Sequence, residues 1–206
     1  MESAVKTEAA NRVREELETG ALVMQAAARD SALHTALAEA AAATAAALKA
    51  GHKLLVAGNG GSAADAQHLA AEFVCRLSGD RPAMRAVALT TDTSILTAVG
   101  NDYGFERVFA RQIEAIGLPG DVFLGISTSG NSPNVLRALE QCRDLGIATI
   151  GLTGGAGGKM LPLCDYRIAV PCEVTMHIQP VHLVLEHAFC MLVERYYFGA
   201  AAAAQE

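Results

Sequence analysis

The spacing of hydrophobic and polar positions changes character near residue 52. Before it, apolar Val13, Leu17, Leu22 and Met24 run towards Asp30-Ser31, and residues 5–50 read as two helices. Asp30-Ser31 is placed to cap the second helix and Gly51 to end it. From Lys53 onward short continuous apolar runs take over, at Lys53–Ala57, Ala86–Leu89, Val122–Ile126, Ala148–Leu152 and Arg167–Val170. Between them lie helical patterns at 62–77, 105–116, 133–145 and 155–163, and a last helix is expected over 178–198. Strands that are apolar throughout and alternate with helices predict an α/β fold, with a five-stranded parallel sheet covered on both faces. Residues 51–198 form the sheet domain in this reading. Residues 1–50 are a helical segment of that domain, and 199–206 a frayed tail. Ligands of such sheets bind beyond the carboxyl ends of the strands. The Gly- and Ser-rich segments fall there.

Composition changes this picture in two places. A mean hydropathy of +0.26 raises the question of a membrane, yet no stretch offers the ~18 uninterrupted apolar residues of a spanning helix. The excess is alanine: 18 of the first 50 residues are Ala, which favours helices and close helix–helix approach. Such small-sided helices need a partner helix, and a second subunit is one source. A net charge of −6, with four Lys and twelve Arg scattered along the chain, argues against a nucleic-acid surface. The acidic start MESAVKTEAANRVREELETG has no basic-then-apolar signal pattern, and five cysteines without a CxxC pair fit reduced thiols. The expectation is a soluble, cytoplasmic protein.

Two loops have the chemistry of a phosphate site. The first strand runs into Gly58-Asn59-Gly60-Gly61-Ser62 and then a helix, where backbone amides and the helix dipole favour an anion. A tight turn with a Ser62-x-x-Asp65 capping box explains the same residues. It is neither a Walker loop nor GxGxxG, since no GK[ST] follows and the third glycine is missing. The third strand ends in Ser127-Thr128-Ser129-Gly130-Asn131-Ser132-Pro133-Asn134. A cap needs one hydroxyl, and this segment offers four; neutral donors and a helix start can hold a phosphate monoester without Lys or Arg. Gly154-Gly155-Ala156-Gly157-Gly158-Lys159 reads as another ligand loop or a flexible connector.

His68 and Glu72, four apart on the helix after the first loop, share a face and could ligate a metal or act as acid and base. Near the C-terminus stand His177, Gln179, His182, Glu186 and His187. Helical spacing groups Gln179, His182 and Glu186 on one arc and turns His187 away by about 80°. Periodicity leaves the choice among them open, and Pro180 belongs in a first helical turn.

The segments GNGGSAADAQHLAAEF, LTAVGNDYGFERVFARQ, GDVFLGISTSGNSPNVLRAL and IQPVHLVLEH resemble the phosphoheptose isomerases, which act on sedoheptulose 7-phosphate and belong to the sugar-isomerase (SIS) superfamily. The resemblance spans residues 20–197. It implies a flavodoxin-like sheet, a homotetramer with active sites where subunits meet, and a zinc ion held by His68, Glu72, Gln179 and His187. It also implies sugar-phosphate contacts from Asn59, Gly60, Gly61, Ser62, Glu72, Asn101, Asp102, Ser127, Thr128, Ser129, Ser132 and Gln179. Glu72 and His187 would be the base and acid of an aldose–ketose isomerisation in heptose biosynthesis for surface polysaccharide. The resemblance thus selects His187 where spacing slightly favoured His182.

One stretch departs from that pattern: members usually carry Arg-Ile-Gln-Glu where this chain has His177-Ile178-Gln179-Pro180. A competing reading is a non-catalytic regulatory module like the DnaA initiator-associating protein, which keeps the serine loop. That branch lacks the glutamate and the final histidine, and both Glu72 and His187 are present here. An SIS isomerase of another sugar phosphate is the third reading.

Overall fold

The computed structural model describes residues 2–77 and 79–199, so nearly all of the expected tail lies outside the described residues. Two helices open the chain, α1 (Glu2–Ala27) and α2 (Ser31–Lys49). Asp30 caps α2 as expected, its Oδ1 accepting from the amides of Ala32 and Leu33 at 3.0 Å each. Five parallel strands follow: β1 (Leu54–Ala57), β2 (Ala86–Ala88), β3 (Val122–Ser127), β4 (Ala148–Gly154) and β5 (Tyr166–Val170). Their spatial order is β2-β1-β3-β4-β5, the flavodoxin-like arrangement. The order reverses between β1 and β3, so the crevice at their carboxyl ends is the topological switch point. The glycine and serine loops leave from those two ends.

The connecting helices are α3 (Gly61–Val74), α4 (Thr93–Asp102), α5 (Ala110–Ile116), α6 (Pro133–Leu145) and α7 (Thr175–Phe198). Alternate strand residues face opposite cores, as the period of two requires. Leu54, Val56, Leu124, Ile126, Ile150 and Leu152 pack with Leu37, Ala41, Leu69, Phe73 and Phe189 from α2, α3 and α7. Leu55, Ala57 and Phe123 face Ile113, Val135 and Leu139 from α5 and α6. The alanines of α2 do the work of close approach: Ala40, Ala41 and Ala45 are buried, and the helix lies on α7 and β5.

Four expectations change. No element was expected between the second strand and residue 105, yet α4 fills it, started by Asp92 accepting from the Ile95 amide at 2.9 Å. None of its residues is fully buried; only Leu96 and Val99 pack, half-buried, against the core on the α5–α6 side, a stripe too narrow to stand out by periodicity. The helix expected over 105–116 divides into a 3₁₀ turn, Phe105–Arg107, and α5. Residues 155–163 hold only a 3₁₀ turn at Leu161–Leu163, because Gly155, Gly157 and Gly158 all take positive φ, outside helical space. Finally, α7 begins at Thr175, not 178, which places Pro180 inside the helix, where the missing N–H leaves one turn without a bond.

Candidate active site

The glycine loop and the serine loop meet edge to edge. Asn59 and Asn134 pair reciprocally, each Nδ2 donating to the other's Oδ1 at 2.8 Å, and Asn134 is buried. Ser127 and Ser132 share a hydroxyl bond of 2.9 Å, so Ser132, although it is the N-cap residue of α6, makes no side-chain cap. Its hydroxyl is turned instead towards the loop interior. Pro133 occupies the first turn of α6 as expected. The capping box expected at Ser62 does not form: Gly60 is the N-cap of α3, and Ser62 lies buried inside the helix.

The Gly154–Gly158 segment is not a loose connector. It buttresses the serine loop from behind. Gly154 N donates to Thr128 O at 3.0 Å, Met160 N to Gly130 O at 3.0 Å, and Lys159 N to Asn131 Oδ1 at 3.1 Å. Gly130, at φ +62°, lies so close to the Gly157 carbonyl that no side chain fits between them. Four glycines in the five residues 154–158 are the sequence sign of this backbone-to-backbone packing.

A cleft of about 740 Å³ opens over these loops, lined by Asn59, Gly60, Ser132 and Asn134 on one side and by Tyr103, Phe105 and Glu106 on the other. Asn101 and Asp102 end α4 just before this second wall, exposed and joined by a 2.7 Å bond. Thr128 Oγ1 lies 3.2 Å from Thr175 Oγ1, tying the serine loop to the start of α7.

Farther along α3 the ionisable groups converge. His68 Nε2 stands 3.2 Å from Glu72 Oε1, His187 Nε2 stands 3.3 Å from the same oxygen, and the two histidine nitrogens are 3.0 Å apart. All three donors point at one small space, and the cluster could hold a metal ion. Tetrahedral ligation at about 2.0–2.1 Å puts neighbouring donors about 3.3 Å apart, so the spacings fit a zinc-sized ion. Glu72 Oε2 is buried without a hydrogen-bond partner, so the carboxylate's two oxygens have unequal tasks. The amide of Gln179, the fourth expected ligand, lies against Gly61, at the mouth of the glycine loop.

His182 goes elsewhere. It is fully buried, its Nε2 3.0 Å from the Thr153 carbonyl, and burial pushes its pKa down to about 4 against the opposing pull of that hydrogen bond. Glu186 is also buried, with neither oxygen partnered; burial, then the charges of Asp65 and Glu72, push its pKa up to about 8. Asp65 is raised too, by burial more than His68 lowers it. Of the arc that spacing grouped, His182 and Glu186 face the core, while Gln179 is half-buried against Gly61. His187, one step around the helix, meets α3.

The SIS domain family matches residues 10–154. The phosphoheptose isomerase of Aneurinibacillus thermoaerophilus is 60% identical over 148 residues, covering 72% of this chain and 75% of its own. The chain belongs to the phosphoheptose isomerase family. A relative of that name from Solidesulfovibrio magneticus is 59% identical over 168 residues, 81% of this chain and 82% of its own. Among solved structures, the phosphoheptose isomerase from Francisella tularensis superposes with a TM-score of 0.87 at 36% identity, over 91% of this chain and 98% of that one. The five-stranded parallel sheet expected from sequence is thus the family's own fold. The sequence reasoning missed Asn134, the glycine buttress and the Tyr103–Glu106 wall. Only the buttress left a signal, and it was legible as two things at once.

Proposed function

We propose that the protein interconverts sedoheptulose 7-phosphate and D-glycero-D-manno-heptose 7-phosphate through an enediol, in heptose biosynthesis for surface polysaccharide. The meeting of His68, Glu72 and His187 across two helices carries this reading, because it supplies a carboxylate and an imidazole within reach of one another. The serine loop and the start of α6 hold the phosphate end of the open sugar, with Ser127, Thr128, Ser129 and Ser132 donating alongside backbone amides. Asn59, Gly60, Gly61, Ser62 and Gln179 line the path along α3, and Asn101 and Asp102 close the other wall. From Gly61 to His68 the helix rises by about 10 Å, so phosphate and reacting carbons have separate stations on one extended chain.

Glu72 takes the C1 proton of the ketose while His187 protonates O2, giving the enediol. His187 then takes the O1 proton as Glu72 returns a proton to C2, and the aldose forms with both groups restored. His68, Glu72 and His187, with Gln179 once its amide swings from Gly61, would hold a zinc ion. When bound, such an ion supplies electrostatic stabilisation to negative charge developing on the two substrate oxygens. The unequal oxygens of Glu72 suit a residue that faces a metal and moves a proton.

The assembly in this reading is a homotetramer, built on the 1–50 segment. Val13, Leu17 and Leu22 of α1 are exposed, a groove of about 610 Å³ runs between α1 and the start of α7, and α4 presents no buried residue. The protein works in the cytoplasm, in keeping with five free cysteines. Glu72→Gln tests the chemistry: turnover should drop on the order of 10²–10⁴-fold, the usual worth of general acid–base catalysis. Metal content and activity are measured beside it with and without chelator. Wild-type turnover in that variant removes Glu72 as the base, and activity indifferent to chelator in metal-free protein removes the zinc.

A further inference from the structure

The triad bridges two helices, so its geometry depends on what fixes α3 against α7. At the far end of that contact Arg81 is nearly enclosed, its side chain 3% exposed. Its guanidinium spends its donors on three different parts of the fold. Nε donates to Glu194 Oε1 of α7 at 2.6 Å, Nη2 to the Glu72 carbonyl at 2.6 Å, and Nη1 to the carbonyls of Phe73 at 2.9 Å and Pro82 at 3.1 Å. The Glu72 and Phe73 carbonyls belong to the last turn of α3, which has no intrahelical donors for them, and a cation there also meets the negative end of the helix dipole. Glu194 follows His187 by seven residues, two turns, and so shares its side of α7. It also accepts from the Leu77 amide at 3.3 Å. Between clasp and triad, Phe73 of α3 packs on Phe189 of α7, ring centroids 6.0 Å apart.

We infer that Arg81 is a positioning residue for the isomerisation: its buried fork grips the backbone of Glu72 and the side chain of Glu194, setting the spacing at which His68 and Glu72 meet His187. The argument rests on Glu72 and His187 being the reacting pair. A fork is needed because the partners lie in three directions at fixed angles. The lysine point charge can satisfy one of them, not all. The phosphate-holding loops lie on β1, β3 and α6 and do not touch the clasp.

Arg81→Lys keeps the charge and loses the fork; Glu194→Asp keeps the pair and shortens the α7 arm by one carbon. Both are assayed with sedoheptulose 7-phosphate, well below their melting temperatures, beside Glu72→Gln. For Arg81→Lys, kcat should fall on the order of 10–100-fold, the cost of misplacing reacting groups by about 1 Å. Its KM should stay within about threefold, since ground-state binding is made elsewhere. Glu194→Asp should show the same split at smaller size and serves as the reading if Arg81→Lys does not fold. A lowered melting temperature with wild-type kcat would make the clasp purely structural and overturn the inference. Full kcat in the clasp variants with an inactive Glu72→Gln overturns the positioning role alone. An active Glu72→Gln overturns the acid–base assignment beneath it.

Discussion

Gly130→Ala puts a methyl group where two backbones already touch. The residue sits at φ +62°, where an L side chain costs about 1–2 kcal/mol. Its new Cβ would collide with the Gly157 carbonyl and stand 3.0 Å from the Gly158 nitrogen, atoms of a main chain that cannot swing aside like a side chain. Relief requires the 154–158 segment to back away from the serine loop. That movement strains or breaks three bonds, Gly154 N to Thr128 O, Met160 N to Gly130 O, and Lys159 N to Asn131 Oδ1. At about 1 kcal/mol each, and with the backbone term added, the total is about 4–5 kcal/mol. The loss falls on the serine loop, and if that loop holds the phosphate as proposed, KM for sedoheptulose 7-phosphate should rise by at least about tenfold. Thermal unfolding and steady-state kinetics on the same preparation separate the two effects. A soluble Gly130→Ala protein with unchanged KM and melting temperature would refute both the contact and the role of the buttress.

Two further outcomes follow from side chains near the triad. Glu186 binds its proton more tightly in the folded chain than in the unfolded one, up to about 8, so it contributes stability that is complete below pH 4.5 and lost as pH rises through 8. In chelator-treated protein Glu186→Gln should flatten the fall of melting temperature between pH 5 and 9; an unaltered slope would mean that Glu186 is not the group responsible. Gly61→Ala should drive the Gln179 amide off the glycine loop and raise KM for sedoheptulose 7-phosphate; kinetics matching wild type would show that Gln179 is not needed where it lies.

The sheet was readable because its central strands β1, β3 and β4 are buried on both faces and mostly apolar, while the edge strands β2 and β5, partly exposed, keep only short apolar runs. The site divides differently. His68 and Glu72 share a helix face by spacing alone, so their pairing could be read locally. His187 could not be chosen over His182 by period, because both lie on a helix that is buried on one side and meets α3 on another. Which side meets α3 is a tertiary fact, and only the family resemblance carried it into the sequence reading. Asn134 shows the same limit: an Asn after Ser-Pro reads as part of a helix start, and its partner Asn59 is 75 residues away. Helix α4 was missed for the opposite reason, since only Leu96 and Val99 pack, half-buried, against the core and its stripe is two positions wide.

Among the described residues, no ionisable side chain forms a hydrogen bond that joins the glycine and serine loops. They are tied by an amide pair, by a hydroxyl pair, and by main-chain bonds to the glycine segment. Amides and hydroxyls keep their donor and acceptor roles across the whole working range of an enzyme. A scaffold tied this way is blind to acidity, while the cluster of His68, Glu72 and His187 sits farther along α3. Acid and base should change how fast the sugar reacts, and the pH dependence of its capture should follow the phosphate monoester itself, whose second ionisation lies near pH ~6.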